Sequence, residues 1–151
     1  MERLRPILLA AFFMLICPNL LGQAKLEIEI SNIRSSSGQI LVSLFNSPDQ
    51  FPRNAPKNWK NIQLKKDNLK NKTLKMIFES LTPGSYVVAL LDDENGSGDM
   101  ENTKLGIPLE GFGFSNNAKP ILSCPPYRKC KFEIKDGVNK IKIDIIYKKN
   151  K

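Results

Sequence analysis

In the run K-L-E-I-E-I-S, Lys25 to Ser31, apolar and polar residues alternate, with Leu26, Ile28 and Ile30 set against Lys25, Glu27 and Glu29. A period of two does not match the 3.6-residue turn of a helix, but it gives a strand one apolar and one wet face. The alternation returns in T-L-K-M-I-F-E-S-L (residues 73–81), in C-K-F-E-I (130–134) and in V-N-K-I-K-I-D-I-I-Y (138–147). In the last of these, Ile141, Ile143 and Ile145 are expected inside. Two further runs, Q-I-L-V-S-L-F (39–45) and Y-V-V-A-L-L-D (86–92), are more continuously apolar and belong in the middle of a sheet. Turn chemistry separates the runs: S-S-S-G at 35–38, T-P-G-S at 82–85 and D-G at 136–137. The first and last of these read as hairpin turns. About seven short strands without an amphipathic helix predict an all-β chain, a single antiparallel β-sandwich of transthyretin or immunoglobulin type. No internal repeat or linker divides it.

Ahead of the first strand, Arg3 and Arg5 precede an apolar run from Ile7 to Leu21, the layout of a secretory signal peptide. Residues 1–24 are therefore expected to be a leader cleaved after Gly22 or Ala24, leaving residues 25–151 as one exported domain, periplasmic or extracellular. The run falls short of the roughly 20 residues of a membrane span. Cys17 follows the bulky Ile16, a poor lipoprotein site, and is expected to leave with the leader. The remaining cysteines, Cys124 and Cys130, then form an even pair in an exported chain. They read as a disulfide closing the short loop S-C-P-P-Y-R-K-C.

The chain has no histidine, which removes Ser-His-Asp and Cys-His catalysis, a histidine general base and typical catalytic zinc sites. Loss of Arg3, Arg5 and Glu2 with the leader takes 23 basic and 15 acidic residues to 21 and 14, still strongly basic. Most of the lysines lie in 57–75 and 129–151, without a nucleic-acid-binding motif. They read as solvated faces with, at most, a weak attraction to anionic surfaces. No nucleic acid and no transmembrane span are expected.

The densest chemistry lies in D-D-E-N-G-S-G-D-M-E, where Asp92, Asp93, Glu94, Asp99 and Glu101 fall within ten positions broken by Gly96 and Gly98. Counted from Asp93, the oxygen-bearing residues Asn95, Ser97, Asp99 and Glu101 take positions of a calcium loop, with Gly98 at its turning point. Lys104 occupies the place of the closing glutamate, so this is no EF-hand, and Glu110, Asp92 or a carbonyl would have to complete the shell. A structural Ca²⁺ of micromolar to millimolar affinity is one reading. The other has Asp93 and Asn95 making turns, with the remaining carboxylates paired to lysines.

The stretch from Leu81 to Asn117, which contains G-S-Y-V-V-A-L-L-D-D-E-N-G-S-G and G-I-P-L-E-G-F-G-F-S-N-N, resembles the signature of a secreted bacterial family, domain of unknown function twenty-one forty-one. That signature reads approximately G-x-Y-A-x-x-x-x-H-D-E-N-G-N-G-K-L-D followed by G-I-P-x-E-x-x-G-F-S-N-N. Asp92 stands here where His is common, Ser97 where Asn is common, and Asp99-Met100-Glu101 replaces K-L-D. The resemblance implies a small secreted, transthyretin-like β-sandwich with no established activity.

The favoured reading is a non-enzymatic module that binds an envelope or extracellular partner or a glycan through loops at one end. Phe51, Trp59, Glu110, Ser115, Asn116 and Asn117 are its candidate contacts, although loop aromatics such as Phe51 and Trp59 more often fold back to cap the sandwich. Phe112 and Phe114 are expected in the core. A structural envelope component is the alternative. A glycoside hydrolase using Asp93 and Glu110 is a third reading, and it would need those carboxyls about 5–9.5 Å apart across a cleft.

Overall fold

A computed structural model describes residues 23–55, 57–121 and 123–148. The leader expected before residue 23, with Cys17, and the last three residues of the charged end lie outside them. Among the described residues there are eight strands: β1 (Ala24–Ser31), β2 (Gln39–Phe45), β3 (Ile62–Lys65), β4 (Leu74–Leu81), β5 (Gly84–Asp93), β6 (Gly111–Phe114), β7 (Phe132–Ile134) and β8 (Val138–Asp144). They form two sheets. One has the order β4-β1-β8, and the other has the order β3-β2-β5-β6, with β7 pairing to the beginning of β5. A single helical turn, Tyr127–Cys130, precedes β7.

The alternating residues meet where expected, between the sheets. Leu26, Ile28 and Ile30 of β1 share one buried cluster with Ile40, Val42 and Leu44 of β2, Tyr86, Val88 and Leu90 of β5, and Ile143 and Ile145 at the chain's end. Strand β5 is central, flanked by β2 in register Gln39↔Asp93 to Phe45↔Val87 and by β6 in register Ala89↔Phe114 to Asp92↔Gly111.

Three expectations change. The turns at 35–38 and 136–137 are not hairpins, because each joins strands of opposite sheets. Turn residues say only that the chain reverses; the apolar faces of β1 and β2 look at each other across the core instead of lying side by side. Second, the sandwich is not wholly antiparallel, since β1 and β8 pair in parallel from Lys25↔Val138 to Ser31↔Asp144.

Third, Cys124 and Cys130 are both free thiols, and no disulfide joins them. Cys130 is buried in a second apolar cluster with Phe45 and Val87, whereas Cys124 is exposed, its Sγ 3.6 Å from the Pro125 carbonyl. Burial, with a smaller contribution from Cys124 nearby, lifts the Cys130 thiol to about 11. It is therefore protonated at neutral pH, and the thiolate that attacks in disulfide formation is scarce.

One end of the sandwich is sealed by charge. Lys66, in the turn that follows β3, is 3% exposed and its ammonium pairs with the carboxylate of Asp92, which is 0% exposed. The ammonium also donates to the Ser37 carbonyl at 2.6 Å, and the Tyr147 hydroxyl donates to the other Asp92 oxygen. Burial, then that hydrogen bond, pushes the Tyr147 phenol well above its ordinary range, so it stays a donor. Taking either charge away strands the other in a dry site. Lys66→Met is expected to cost about 3–5 kcal/mol in urea unfolding. Adding Asp92→Leu should recover part of that loss, and an unchanged midpoint for the single variant would rule the clamp out.

Candidate functional site

Strand alternation sends Asp92 to the inner face of β5 and Asp93 to the outer one. Asp93 is buried, and its oxygens are fully engaged. Oδ1 accepts the Ser97 amide at 2.9 Å, and Oδ2 accepts the Gly98 amide at 3.1 Å and the Gln39 side chain at 2.9 Å. Burial opposes its ionisation, but the hydrogen bonds from Gln39 and from the amides of Gly98, Ser97 and Gly96 together outweigh it, holding the carboxyl below its ordinary 3.8. Asn95 Oδ1 accepts the same Ser97 amide at 3.0 Å, and Ser97 Oγ donates to the Asp99 carbonyl at 3.0 Å. Gly38, at φ +68°, lets the β1–β2 turn lie against this loop, since a Cβ there would sit 2.0 Å from the Asp93 carbonyl oxygen.

The loop's other anchor is Glu110, buried, whose two oxygens accept the Glu94 amide at 3.2 Å and the Glu101 amide at 3.4 Å. Burial raises the Glu110 carboxyl above its usual value; the two amides act against that rise, and the charges of Asp93 and Glu101 add to it. Glu94 in turn pairs with Arg34, whose guanidinium also stacks 4.4 Å from the centre of the Tyr147 ring. Between these anchors, residues 101–109 form a flap closed by hydrogen bonds from Leu109 N to Glu101 O (2.9 Å) and from Thr103 N to Ile107 O (2.8 Å).

Of the five loop residues considered for a cation, Asp93 alone is buried, and its oxygens face N–H donors. Asn95, Ser97, Asp99 and Glu101 are exposed. Among the described residues no three acidic or cysteine side chains converge on one point. In this arrangement the donor set does not form a cation shell. Asp93 and Glu110 are close enough for the Asp93 charge to act on Glu110, yet both are committed to hydrogen-bond donors, the loop amides and, for Asp93, the Gln39 side chain.

The remaining candidates join elements together. Ser115 is buried; its Oγ accepts the Val88 amide at 3.0 Å and donates to the Cys130 carbonyl at 2.6 Å, tying β5 and β6 to the helical turn. Asn116 and Asn117, at φ 59° and 51°, are exposed. Asn116 donates to the Lys131 carbonyl at 2.8 Å, while Asn117 Oδ1 accepts the Asp144 amide at 2.8 Å. Trp59 packs half-buried on the inter-sheet core, its ring 6.0 Å from that of Tyr86. Phe51 packs edge-on against Phe45, Phe114 and Tyr127 at 5.1–6.2 Å. These six residues do not come together in one site.

A site that the sequence reading did not find lies on the outer face of the five-stranded sheet. Strand β6 reads G-F-G-F, and the glycines point inward. A Cβ on Gly111 would meet Tyr147 Cε1 at 2.3 Å and Ile145 Cγ2 at 2.6 Å, and one on Gly113 would meet Ile143 Cγ2 at 2.9 Å. Phe112 and Phe114, expected in the core, therefore leave the sheet on its outer face, where Phe112 is buried and Phe114 is half-buried against the second apolar cluster. With Leu41 and Phe45 of β2 and Ala89 and Leu91 of β5 they floor a cleft of about 590 Å³. The flap, through Met100, Leu105 and Ile107, makes one wall, and the segment carrying Pro120, Ile121 and Cys124 makes another. Leu105 and Ile121 remain 87% and 80% exposed at its lips. The signal was present in the unbroken apolar runs of β2 and β5: a strand apolar on both faces in a two-layer fold has something covering its outer face.

Fold and site together define a two-sheet, all-β domain with an apolar cleft outside its larger sheet. Compared with protein families, residues 28–142 match the one described as "Uncharacterized protein conserved in bacteria (DUF2141)", and the chain belongs to that family. No curated protein and no solved structure matches it. Among the described residues no helix is long and apolar enough to cross a membrane.

The loop chemistry has a pH signature. Because the folded-state carboxyl of Asp93 lies below its unfolded value, it contributes stability that is present above pH 3.8 and lost as pH falls through the lower folded value. Asp93→Asn should lower the melting temperature at pH 7 and flatten the loss of stability on acidification below about pH 4. Because amides already saturate the carboxylate, replacing EDTA by millimolar Ca²⁺ should leave the wild-type melting temperature unchanged. A calcium-dependent rise abolished by Asp93→Asn would restore the cation reading.

Proposed function

We propose that the protein is an exported, non-enzymatic binding module that takes an apolar ligand of the cell envelope or its surroundings into the cleft on its larger sheet. One observation carries the proposal: an apolar-floored cleft of about 590 Å³, walled by an anchored flap and lipped by exposed Leu105 and Ile121. That volume lies within the roughly 300–1,000 Å³ of small-molecule sites, which are mostly apolar and preformed. A flap held at both ends by buried carboxylates keeps the cleft open without a ligand, so little ordering cost accompanies binding. The apolar floor suits hydrocarbon better than a glycan, which needs a denser set of hydrogen-bonding side chains.

Export rests on the leader-like first residues. Cleavage after Gly22 suits the fold better than cleavage after Ala24, because Ala24 is buried at the start of β1 and pairs with Leu81. The basic surface remains available for weak attraction to anionic envelope surfaces.

An uncharged, environment-sensitive dye such as Nile red should brighten and saturate on titration with the mature chain. Leu91→Asp, which sets a charge on the cleft floor outside the inter-sheet core, should weaken the dye by about tenfold or more with the melting transition retained. Ala89→Phe, which fills the floor, should do the same. Absence of saturable binding to the wild type, or full binding by both variants, would sink the proposal.

A further inference from the structure

The cleft has a direction. Its floor crosses β2, β5 and β6 and continues onto the chain beyond β8, because Phe112 and Ile146 exchange backbone hydrogen bonds of 3.0 and 2.8 Å. Three neighbouring-chain spacings of roughly 4.8 Å make a floor about 14 Å long.

Its two ends differ. Beyond β2, Ser43 Oγ and Asn61 satisfy each other: the hydroxyl donates to Asn61 Oδ1 at 3.1 Å and accepts the Asn61 amide at 2.9 Å. That end carries no charged side chain among the described residues. At the other end stands Lys148, the one charged side chain lining the cleft among the described residues, with no acidic residue lining it anywhere. Between the ends the floor is hydrocarbon and aromatic ring.

A long apolar trough ending at a lysine ammonium, with no acidic lining among the described residues, is complementary to a hydrocarbon chain ending in negative charge. Neutral lipids would leave the lysine without a counter-charge, and a second cation would be repelled by it. We infer that the cleft takes a single-chain amphiphile with a carboxylate head, its chain lying across β2, β5 and β6 and its head on the Lys148 ammonium. This assignment rests on the binding reading above and deepens it.

Competition separates the two claims. The mature full chain, loaded with Nile red, is titrated below micellar concentrations with dodecanoate, dodecanol and dodecyltrimethylammonium, in the wild type and in Lys148→Met. Lys148 is exposed, so the substitution leaves the core intact. The expected result is displacement by dodecanoate at about fivefold lower concentration than by dodecanol, the weakest displacement by the cation, and loss of the carboxylate preference in Lys148→Met. The preference should also shrink as salt rises. Equal displacement by acid and alcohol, or a carboxylate preference that survives Lys148→Met, overturns the head-group assignment while the cleft stands. Bound dye that none of the three displaces overturns the amphiphile. Failure of the dye to bind the wild type overturns the binding reading itself.

Discussion

Two adjacent carboxylates end the central strand, and most of what is distinctive in this domain follows from how each is satisfied. Alternation along β5 makes it impossible for Asp92 and Asp93 to share a partner, because they leave the backbone on opposite faces. A buried carboxylate without partners is costly enough to exclude the arrangement. The inner one is met by a lysine and a tyrosine that close the end of the sandwich, and the outer one by the amides of the loop that follows. The inner one ties the turn after β3 and the segment after β8 to the end of β5. The outer one fixes the direction in which the chain leaves the sheet.

That direction makes the cleft. From Asp93 the chain runs into a flap whose base is gripped again by Glu110, so the Met100–Pro108 wall stands at a set height over the sheet. Wall and floor are built by opposite means. Hydrogen bonds to carboxylates hold the flap, whereas the floor exists because Gly111 and Gly113 let β6 settle against Ile143, Ile145 and Tyr147 and turn both phenylalanines outward. The polar run S-N-N fastens the far side of the same strand to the helical turn and to β8.

The alternating strands β1, β4 and β8 were legible because one wet face leaves a two-residue period in the sequence. The placement of Asp93, with Asn95, in a turn-like network was among the readings open from the start, since short polar side chains beside glycines have few other partners. Sheet membership was not legible: Gly38 and Gly137 announce reversals without saying whether the chain returns to the same sheet. The face taken by the two phenylalanines was not legible for a related reason. Apolar content tells how much surface seeks cover, but in G-F-G-F the side is chosen by what the glycines touch, and those contacts come from residues some thirty positions later. Lys148 lies in a basic end whose composition reads as solvated. Only the Phe112–Ile146 bridge shows that it reaches the cleft.

The parallel pairing of β1 with β8 bears on when this chain acquires structure. Strand β1 is the middle strand of its sheet, and one of its two neighbours is the last strand of the domain; the contact between Ser31 and Asp144 spans 113 residues. Closing so long a loop costs entropy before any contact returns it, and chains dominated by such pairings fold slowly. The smaller sheet therefore has no complete form until β8 is available, and an emerging polypeptide leaves one side of β1 unpaired until then. An early-folding hairpin at its front, had the first turn been one, would have removed that delay.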